Sequence, residues 1–239
     1  MPETLWNGGP VLSSAPGVFP MGTDSVILAD FAQPGRRDRV LDLGTGSGIL
    51  AILMAYGAAE RRVSAVELDP NACHLAEKNF SDNGLDTQII LHQRDLREYR
   101  FFLPGGETDL VISNPPYFTV NSGPDATSRP KNARGDATCS LEDLCQAAAW
   151  ALRWGGRFVL CFRPERLCDL FCTLRACGLE PKRLRPVRHS AGKPVNLLLI
   201  EARRGGNPGL KLEQDLVLRS LDGSETSELQ KIYHRNNCD

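Results

Sequence analysis

The chain has 239 residues, of which 28 are Lys or Arg and 29 are Asp or Glu, so its net charge is −1. This length accommodates one large domain with a buried core, and the balanced charge excludes a polycation. No signal peptide or long apolar segment is evident, and none of the eight cysteines belongs to a CxxC pair. We therefore expect a cytoplasmic protein with reduced core cysteines, no membrane segment and no metal site.

The first half of the chain alternates short apolar runs with helical patterns. "RVLDL" (39–43) predicts a strand, and a helix follows over 47–57. "VSAVEL" (63–68) predicts a second strand, followed by a helix over 70–83. Pro70 lies in the first turn of that helix, where proline is favoured, and "NG" closes it.

The middle of the chain contains two further strands and one segment without a core pattern. "TQIILHQ" (87–93) and "DLVIS" (109–113) predict the strands, and Ser140 and Asp143 form a capping-box pattern at the start of a helix. The segment without a core pattern, 119–139, lies between the second of these strands and that helix. Because a segment of this length inside a compact domain is usually functional or disordered, we expect a mobile flap there.

The last third of the chain predicts a strand over 156–162, a helix over 165–177 and two strands over 181–187 and 195–202. The link between the last two strands is short, so we expect them to pair antiparallel. Strands that are apolar almost throughout and alternate with helices indicate an α/β fold, with a mostly parallel sheet covered on both faces.

A glycine-rich turn and three acidic residues lie at the ends of successive predicted strands. Gly44 and Gly46 follow the first strand, where glycine lets the backbone turn tightly and approach a ligand. Asp42 lies in that strand, Glu67 ends the second strand and Asp95 follows the third. Alone, the turn also fits NAD, FAD or another nucleotide, and each acid alone could be a capping residue.

Together the three acids favour S-adenosylmethionine as the cofactor. A dinucleotide needs a helix N-terminus that is open to pyrophosphate, and Asp42 beside that loop would repel phosphate. S-adenosylmethionine has ribose, adenine, sulfonium and ammonium groups but no phosphate. Glu67 can accept from the ribose hydroxyls and Asp95 from the adenine amino group, while Asp42 attracts the cationic amino acid portion.

Basic residues outnumber acidic ones in the segment 153–204, which contains twelve Lys or Arg residues and four Asp or Glu residues. Two interpretations stay open. The segment forms a solvated helix face and hairpin, or it contributes a footprint for phosphate groups.

The segments "DLGTGSG", "VELDP", "RDL" and "NPPYF" have the order and spacing of Rossmann-like methyltransferases that act on exocyclic or amide nitrogens, which the chain resembles. The resemblance implies a class I methyltransferase fold, with a mostly parallel seven-stranded sheet and an antiparallel last strand. It also implies a catalytic motif of Asn114, Pro115, Pro116 and Tyr117. Asn114 Oδ1 and the Pro115 carbonyl would accept the two N–H groups of an amine, on a backbone that the prolines make rigid. Tyr117 would stack on the flat base, helped by Phe118.

Methyltransferases with this motif modify adenine in DNA, adenine in RNA or a glutamine of a release factor. The chain has no room for the target-recognition domain of the DNA enzymes. The roughly forty residues before the first core strand are too few for the helical domain of the release-factor enzymes. Release-factor glutamine methylation, amino methylation of ribosomal RNA and a non-catalytic RNA-binding role remain as alternatives.

Nearly the whole chain resembles the bacterial tRNA(Val) adenine-N(6)-methyltransferase family, which modifies the adenine beside the anticodon. The similarity lies in "FPMGTDSVILADFA", "NPPYF", "CSLEDL", "GGRFVLCFRPERLCDLF", "LEPKRLRPV" and "GKPVNLLLIEARRGGNPGLKLE". It implies that residues 1–36 form a hairpin, over 6–17, and a helix that contributes to the cofactor site. A methyltransferase domain over 37–239 would follow, within one structural domain overall.

The resemblance completes the predicted site and names its partner. The predicted cofactor contacts are Thr23, Asp24, Asp42, Gly44, Gly46, Glu67, Leu68, Asp95, Leu96 and Asn114. The predicted tRNA contacts are Phe118, Lys131, Arg134, Arg163, Arg166 and Lys193. The basic residues among them would meet phosphates around a loop whose base is splayed into the pocket. We expect tRNA as the partner, and no membrane, metal or obligate protein partner.

Overall fold

The computed structural model describes residues 2–15, 18, 22–115 and 139–234. Its N-terminal part contains β1 (Glu3–Thr4), β2 (Val11–Leu12) and helix α1 (Thr23–Ala32). The strands β1 and β2 pair antiparallel, so the predicted hairpin exists but begins before residue 6. The predicted flap, apart from Cys139, lies outside the described residues.

The remaining elements alternate strand and helix along the chain. In order they are β3 (Arg39–Leu43), α2 (Ile49–Ala55), β4 (Arg62–Glu67), α3 (Pro70–Asp82), β5 (Ile89–Gln93), β6 (Thr108–Ser113), α4 (Leu141–Ala151), β7 (Leu152–Phe162), α5 (Leu167–Ala176), β8 (Leu179–Ser190), β9 (Val195–Arg204), β10 (Lys211–Leu212), β11 (Leu216–Arg219) and α6 (Ser227–Ile232). Two 3-10 helices, Leu96–Phe101 and Pro164–Arg166, precede β6 and α5.

The central sheet confirms the predicted α/β class. Seven strands lie in the order β5-β4-β3-β6-β7-β9-β8, and all are parallel except β9, which is antiparallel to both of its neighbours. The short strands β10 and β11 pair with the outer edge of β8. Within the described residues the sheet therefore has nine strands rather than the predicted seven. Sequence patterns missed β10 because it is only two residues long and both are exposed.

Two apolar clusters cover the two faces of the sheet, as the apolar strands predicted. Val40 and Leu110 belong to the cluster that contains α1 and α2, whereas their neighbours Leu41 and Val111 belong to the cluster that contains α4. All four side chains are buried because successive residues of a strand point to opposite faces. A strand with helices on both sides has no polar face, which explains the continuous apolar runs.

Capping interactions set several helix starts where the sequence predicted them. Ser140 and Asp143 form the predicted capping box of α4, and Asp69 caps α3 one residue before Pro70. Helix α2 starts at Ile49 rather than at residue 47, because Gly48 has a left-handed backbone (φ 86°) that ends the preceding loop.

The cysteine prediction is confirmed only in part. Seven cysteines lie among the described residues and all are free thiols. Cys73, Cys145 and Cys161 are buried, but Cys168 and Cys172 are exposed on α5, so the expectation that they are core residues is wrong. No helix within the described part of the chain is long and apolar enough to span a membrane.

Candidate active site

The carboxyl ends of four neighbouring parallel strands bring the main predicted site residues to one edge of the sheet. Strand β3 lies between β4 and β6, and β4 lies between β3 and β5. Asp42 lies near the end of β3, Glu67 ends β4, Asp95 follows β5 and Asn114 follows β6. Ligands of open α/β sheets bind at this edge, so the predicted residues share the expected side of the molecule.

The loop after β3 leaves open space beside two of its glycines. Gly44 (φ +74°) and Gly46 (φ +57°) have left-handed backbones, and a Cβ built on either one meets no described atom within 4 Å. A Cβ on Gly48 would instead lie 2.5 Å from the Phe80 ring. The backbone amide of Gly44 donates to the Val66 carbonyl, which anchors the loop to β4. Two glycines therefore face a possible ligand and the third permits helix packing.

Asp42 is completely buried beneath this loop. Its Oδ2 accepts from Thr45 Oγ1 (2.6 Å) and from the Ala51 amide (3.1 Å), while no described residue donates to Oδ1. Burial raises the pKa of Asp42 to about 7, against the lowering effect of the Thr45 and Ala51 hydrogen bonds, and Glu67 adds a smaller repulsion. A cation bound beside the loop would stabilise the ionised form of this carboxyl group.

Glu67 joins the end of β4 to the glycine loop. Its Oε2 accepts from the Gly46 amide (2.9 Å), and its Oε1 accepts from the amides of Leu68 (2.7 Å) and Asp69 (2.9 Å). A carboxylate has about four acceptor positions, so these three bonds leave room for one more donor. Contact with both ribose hydroxyls stays a prediction, and it requires Glu67 to release or share the Gly46 amide.

Asp95 and two leucines lie on the same side of the site. Asp95 accepts from the Arg97 amide (2.9 Å) and forms an ion pair with its guanidinium, and the Arg97 hydrogen bond is the main reason why the pKa of Asp95 is lowered. Leu68 is 58% exposed although it is apolar, whereas Leu96 is half-buried against the cluster that contains α4. Leu68 therefore offers an apolar face at the open edge of the sheet.

Asn114 is held between α1 and β7. Its Nδ2 donates to Ser25 Oγ (3.0 Å), and Cys161 Sγ donates to its Oδ1 (2.7 Å). Pro115 is buried, and the rest of the motif, Pro116, Tyr117 and Phe118, lies outside the described residues. Sequence analysis missed Ser25, which directly follows two predicted contacts. It also assigned Cys161 only to the core.

Helix α1 begins with Thr23 and Asp24, both half-buried. Thr23 Oγ1 accepts from the hydroxyl of Tyr233 (3.4 Å), which follows α6. The Asp24 carboxylate is close enough to Cys161 to raise the pKa of its thiol, although burial is the larger cause. Both residues thus lie at the end of α1 that is close to Asn114.

The predicted tRNA contacts are only partly described. Arg163 is exposed and its guanidinium donates to the Asn196 carbonyl (2.9 Å), Arg166 pairs with Asp169 (3.1 Å), and Lys193 is exposed in the link between β8 and β9. These three residues lie at the same edge of the sheet as Asn114, because β7 and β8 both end there. Lys131 and Arg134 lie outside the described residues.

Most of the basic segment 153–204 is neutralised by carboxylates. At least seven of its twelve Lys and Arg residues form ion pairs, several of them with acids from other parts of the chain. These seven are Arg153, Arg157, Arg166, Arg175, Arg183, Arg185 and Arg188. The segment as a whole therefore fits a paired, solvated surface better than a continuous phosphate footprint.

The described residues fit the predicted cofactor. Open space beside Gly44 and Gly46 and the unpartnered oxygen of Asp42 suit a ligand that carries positive charge near the glycine loop. Within the described ranges, no group of three or more His, Cys, Asp or Glu side chains is placed to hold a metal ion.

Comparison with known proteins agrees with this geometry. Residues 11–166 match the model of the Methyltransferase small domain family. The chain is 30% identical to the tRNA1(Val) (adenine(37)-N6)-methyltransferase of Actinobacillus pleuropneumoniae serotype 7, covering 90% of each chain. It is 33% identical to the protein of the same name from Tolumonas auensis, covering 87% of this chain and 85% of that one.

Among solved structures, a predicted O-methyltransferase from Agrobacterium tumefaciens has the same fold. The TM-score is 0.73 at 19% sequence identity, covering 88% of this chain and 95% of that one. The fold, the matched domain and the similarity over nearly the full length show that this chain belongs to the Methyltransferase small domain family and, within it, to the tRNA(Val) adenine-N(6)-methyltransferase family.

Proposed function

We propose that this protein transfers a methyl group from S-adenosylmethionine to the N6 amino group of adenine 37 in a valine tRNA. The observation that carries the proposal is the position of Asn114 and Pro115 at the sheet edge that also bears the open glycine loop and three acids. The family relatives bear the name of this activity and match 85–90% of their own lengths. A tRNA substrate would place the reaction in the cytoplasm.

We assign the cofactor to the space beside Gly44 and Gly46. The bound cofactor supplies an electrophilic methyl group on a sulfonium. Asp42 beneath the loop favours its positive charge, and Glu67 and Asp95 accept from its ribose and adenine portions. Leu68 and Leu96, which directly follow these two acids in the sequence, offer apolar contacts. Thr23 and Asp24 approach the site from α1.

The acceptor amine is oriented by oxygen atoms of the chain. Asn114 Oδ1 and the Pro115 carbonyl accept its two N–H bonds, so the nitrogen lone pair leaves the plane of the base. Asn114 and Pro115 would thus hold the amine with its lone pair facing the cofactor, which would supply the methyl group and leave as a neutral thioether. The methylated nitrogen then loses a proton to water. Positioning of this kind supplies roughly 7–11 kcal/mol in well-oriented systems.

The roles of the remaining motif residues and of the basic side chains are proposed from their positions in the sequence. Pro116 makes the acceptor segment rigid, and Tyr117 and Phe118 stack on the splayed base. Arg163, Arg166 and Lys193 meet phosphates at the mouth of the site, and Lys131 and Arg134 contribute from the segment after the motif. Binding through these cations to a protein of near-zero net charge should be weak and should weaken further as salt is added, by about one ion for each phosphate contact.

A labelling experiment tests the proposed substrate. The protein is incubated with methyl-labelled S-adenosylmethionine and, separately, with total tRNA, ribosomal RNA, release factor, a valine tRNA transcript and the same transcript with guanine at position 37. We expect N6-methyladenine in total tRNA and in the first transcript, and no label in the guanine variant. Label that enters only ribosomal RNA or only release factor would overturn the tRNA assignment in favour of that acceptor.

A further inference from the structure

Two side chains from distant parts of the chain contact the acceptor amide of Asn114. Ser25 lies in the first turn of α1, 89 residues before Asn114, and accepts from Nδ2 at 3.0 Å. Cys161 lies in β7, 47 residues after Asn114, and donates to Oδ1 at 2.7 Å. Ser25 is 4% exposed and Cys161 is fully buried, so both partners hold the half-buried Asn114 amide from the protein interior.

Each contact has a direction that suits an amide acting as an acceptor. Burial and the nearby Asp24 carboxylate raise the pKa of Cys161, so its sulfur stays protonated and acts as a donor. An amide oxygen has two acceptor positions, and the thiol uses one of them. The second position is left for an N–H group of the substrate. With Nδ2 bonded to Ser25, the plane of the amide is fixed at both ends.

Placing these polar groups around Asn114 costs free energy, and packing of the fold does not require them. Cys161 belongs to the apolar cluster beneath α1, where an aliphatic side chain of similar volume would pack without a polar atom. The buried Ser25 hydroxyl is tolerated because it bonds to the Asn114 amide, which is half-buried. The pairing therefore points to a function at Asn114 rather than to packing.

We propose that Ser25 and Cys161 are positioning residues that fix the plane of the Asn114 amide, so that its free acceptor position faces the substrate amine. This inference rests on the proposed function of Asn114. If either partner is lost, the amide rotates and presents N–H groups to an amine that also carries only N–H donors. The substrate still binds, but its nitrogen is no longer drawn toward the methyl group.

The test compares steady-state kinetics of four variants of the full chain on the acceptor that the wild type labels. Ser25→Ala and Cys161→Val each remove one partner, Cys161→Ser retains a donor, and Cys145→Ala removes a buried thiol that lies in α4, away from Asn114. We expect kcat to fall about 10- to 100-fold for the first two variants. Their KM values should stay within about twofold of the wild type, because ground-state binding is unchanged. Cys161→Ser and Cys145→Ala should keep most of the wild-type kcat.

A double-variant cycle separates positioning from general destabilisation. Ser25→Ala or Cys161→Val placed on top of Asn114→Ala should cause no further loss of kcat, since each acts only through Asn114. An additive loss, or unchanged kcat in both single variants, would overturn the inference. If one variant does not fold, the other decides by the same cycle. A wild type that labels no acceptor at all would instead overturn the proposed function, and the inference with it.

Discussion

The two halves of the candidate site are held by different kinds of contact. In the cofactor half, formed by the loop after β3 and the acids at the ends of β3 and β4, carboxylates accept from backbone amides such as those of Ala51, Gly46 and Leu68. In the acceptor half, the Asn114 amide bonds to a neutral hydroxyl and a neutral thiol. Charge organises one half, and uncharged pairing organises the other.

This difference follows from what each half must bind. A cationic ligand is attracted by nearby carboxylates, which can also hold a loop in place through strong hydrogen bonds to amides. An amide that must accept from an uncharged amine needs its free lone pair left available. A cation beside Asn114 would take that lone pair, and an ionised acid beside it would offer no donor. Neutral partners avoid both problems.

The largest effect should come from the acceptor half. Replacing Asn114 by Ala removes the oxygen that polarises the amine, and by analogy with the loss of one preorganised transition-state hydrogen bond we expect kcat to fall about 100- to 1,000-fold. Thermal stabilisation by S-adenosylmethionine should largely persist, because the glycine loop and the acids are untouched. Both quantities can be measured on the same preparation. Undiminished turnover would disprove the proposed role of Asn114.

In the cofactor half, loss of a charge should weaken cofactor binding, whereas the Asn114 substitution lowers kcat and spares that binding. In the Asp42→Asn variant the amide oxygen can still accept from Thr45 and Ala51, so we expect an intact fold with at least about 10-fold weaker cofactor binding by calorimetry. Thr45→Ser, which keeps a hydroxyl donor for Asp42, is the matched control and should bind nearly as well as the wild type. Equal affinity in the Asp42 variant would show that charge does not organise this half.

The pH dependence of stability gives a second test of Asp42. The pKa of this carboxyl is about 7 in the folded protein and close to 3.8 in the unfolded chain, so the folded state holds the proton more tightly between these values. The contribution of Asp42 to the stability of the cofactor-free protein should therefore be fully present below about pH 4 and should decline as the pH rises to about 7. Relative to the wild type, Asp42→Asn should become more stable as pH rises from 5 to 8. A constant difference across this range would contradict the raised pKa.

The same contrast explains what could be predicted from the sequence. The parallel sheet, the glycine loop and the acids are encoded by local patterns, because apolar strands and the residues at their ends are contiguous in the chain. The partners of Asn114 could not be predicted in this way. Ser25 and Cys161 meet it only after α1 and β7 pack against each other, and a cysteine within "FVLCF" has the pattern of an ordinary core residue.

A smaller effect on cofactor binding should come from the contacts between the N-terminal hairpin and the cofactor half. Asn79 of α3 is fully buried, accepts from the Ser13 amide (2.8 Å) and donates to the Ser47 carbonyl in the glycine loop (2.9 Å). Asn83, one turn later, accepts from the Val11 amide (2.8 Å) but does not reach the loop among its described contacts. Asn83 thus holds β2 and Asn79 holds the residue directly after it, and only Asn79 also holds the loop.

We expect Asn79→Ala to lower the free energy of unfolding by about 2 kcal/mol, because it leaves buried backbone groups without partners. It should also weaken cofactor binding several-fold by loosening the loop. Asn83→Ala is the matched variant and should lower stability with little change in cofactor affinity. Urea denaturation and calorimetry measure the two effects separately. Equal cofactor affinities in the two variants would show that the hairpin stabilises the fold without shaping the site.

The smallest effect should come from single phosphate contacts at the mouth of the site. Lys193 is exposed in the link between β8 and β9, at the edge of the sheet that carries Asn114, and within the described ranges no carboxylate pairs with it. Lys182 lies near the start of β8, toward the opposite edge of the sheet. We expect Lys193→Ala to raise KM for tRNA about threefold and to reduce the salt dependence of binding by about one ion, with kcat unchanged. Lys182→Ala should alter neither quantity. Equal effects of the two substitutions would mean that tRNA senses the overall charge of the protein and not the edge that carries Asn114.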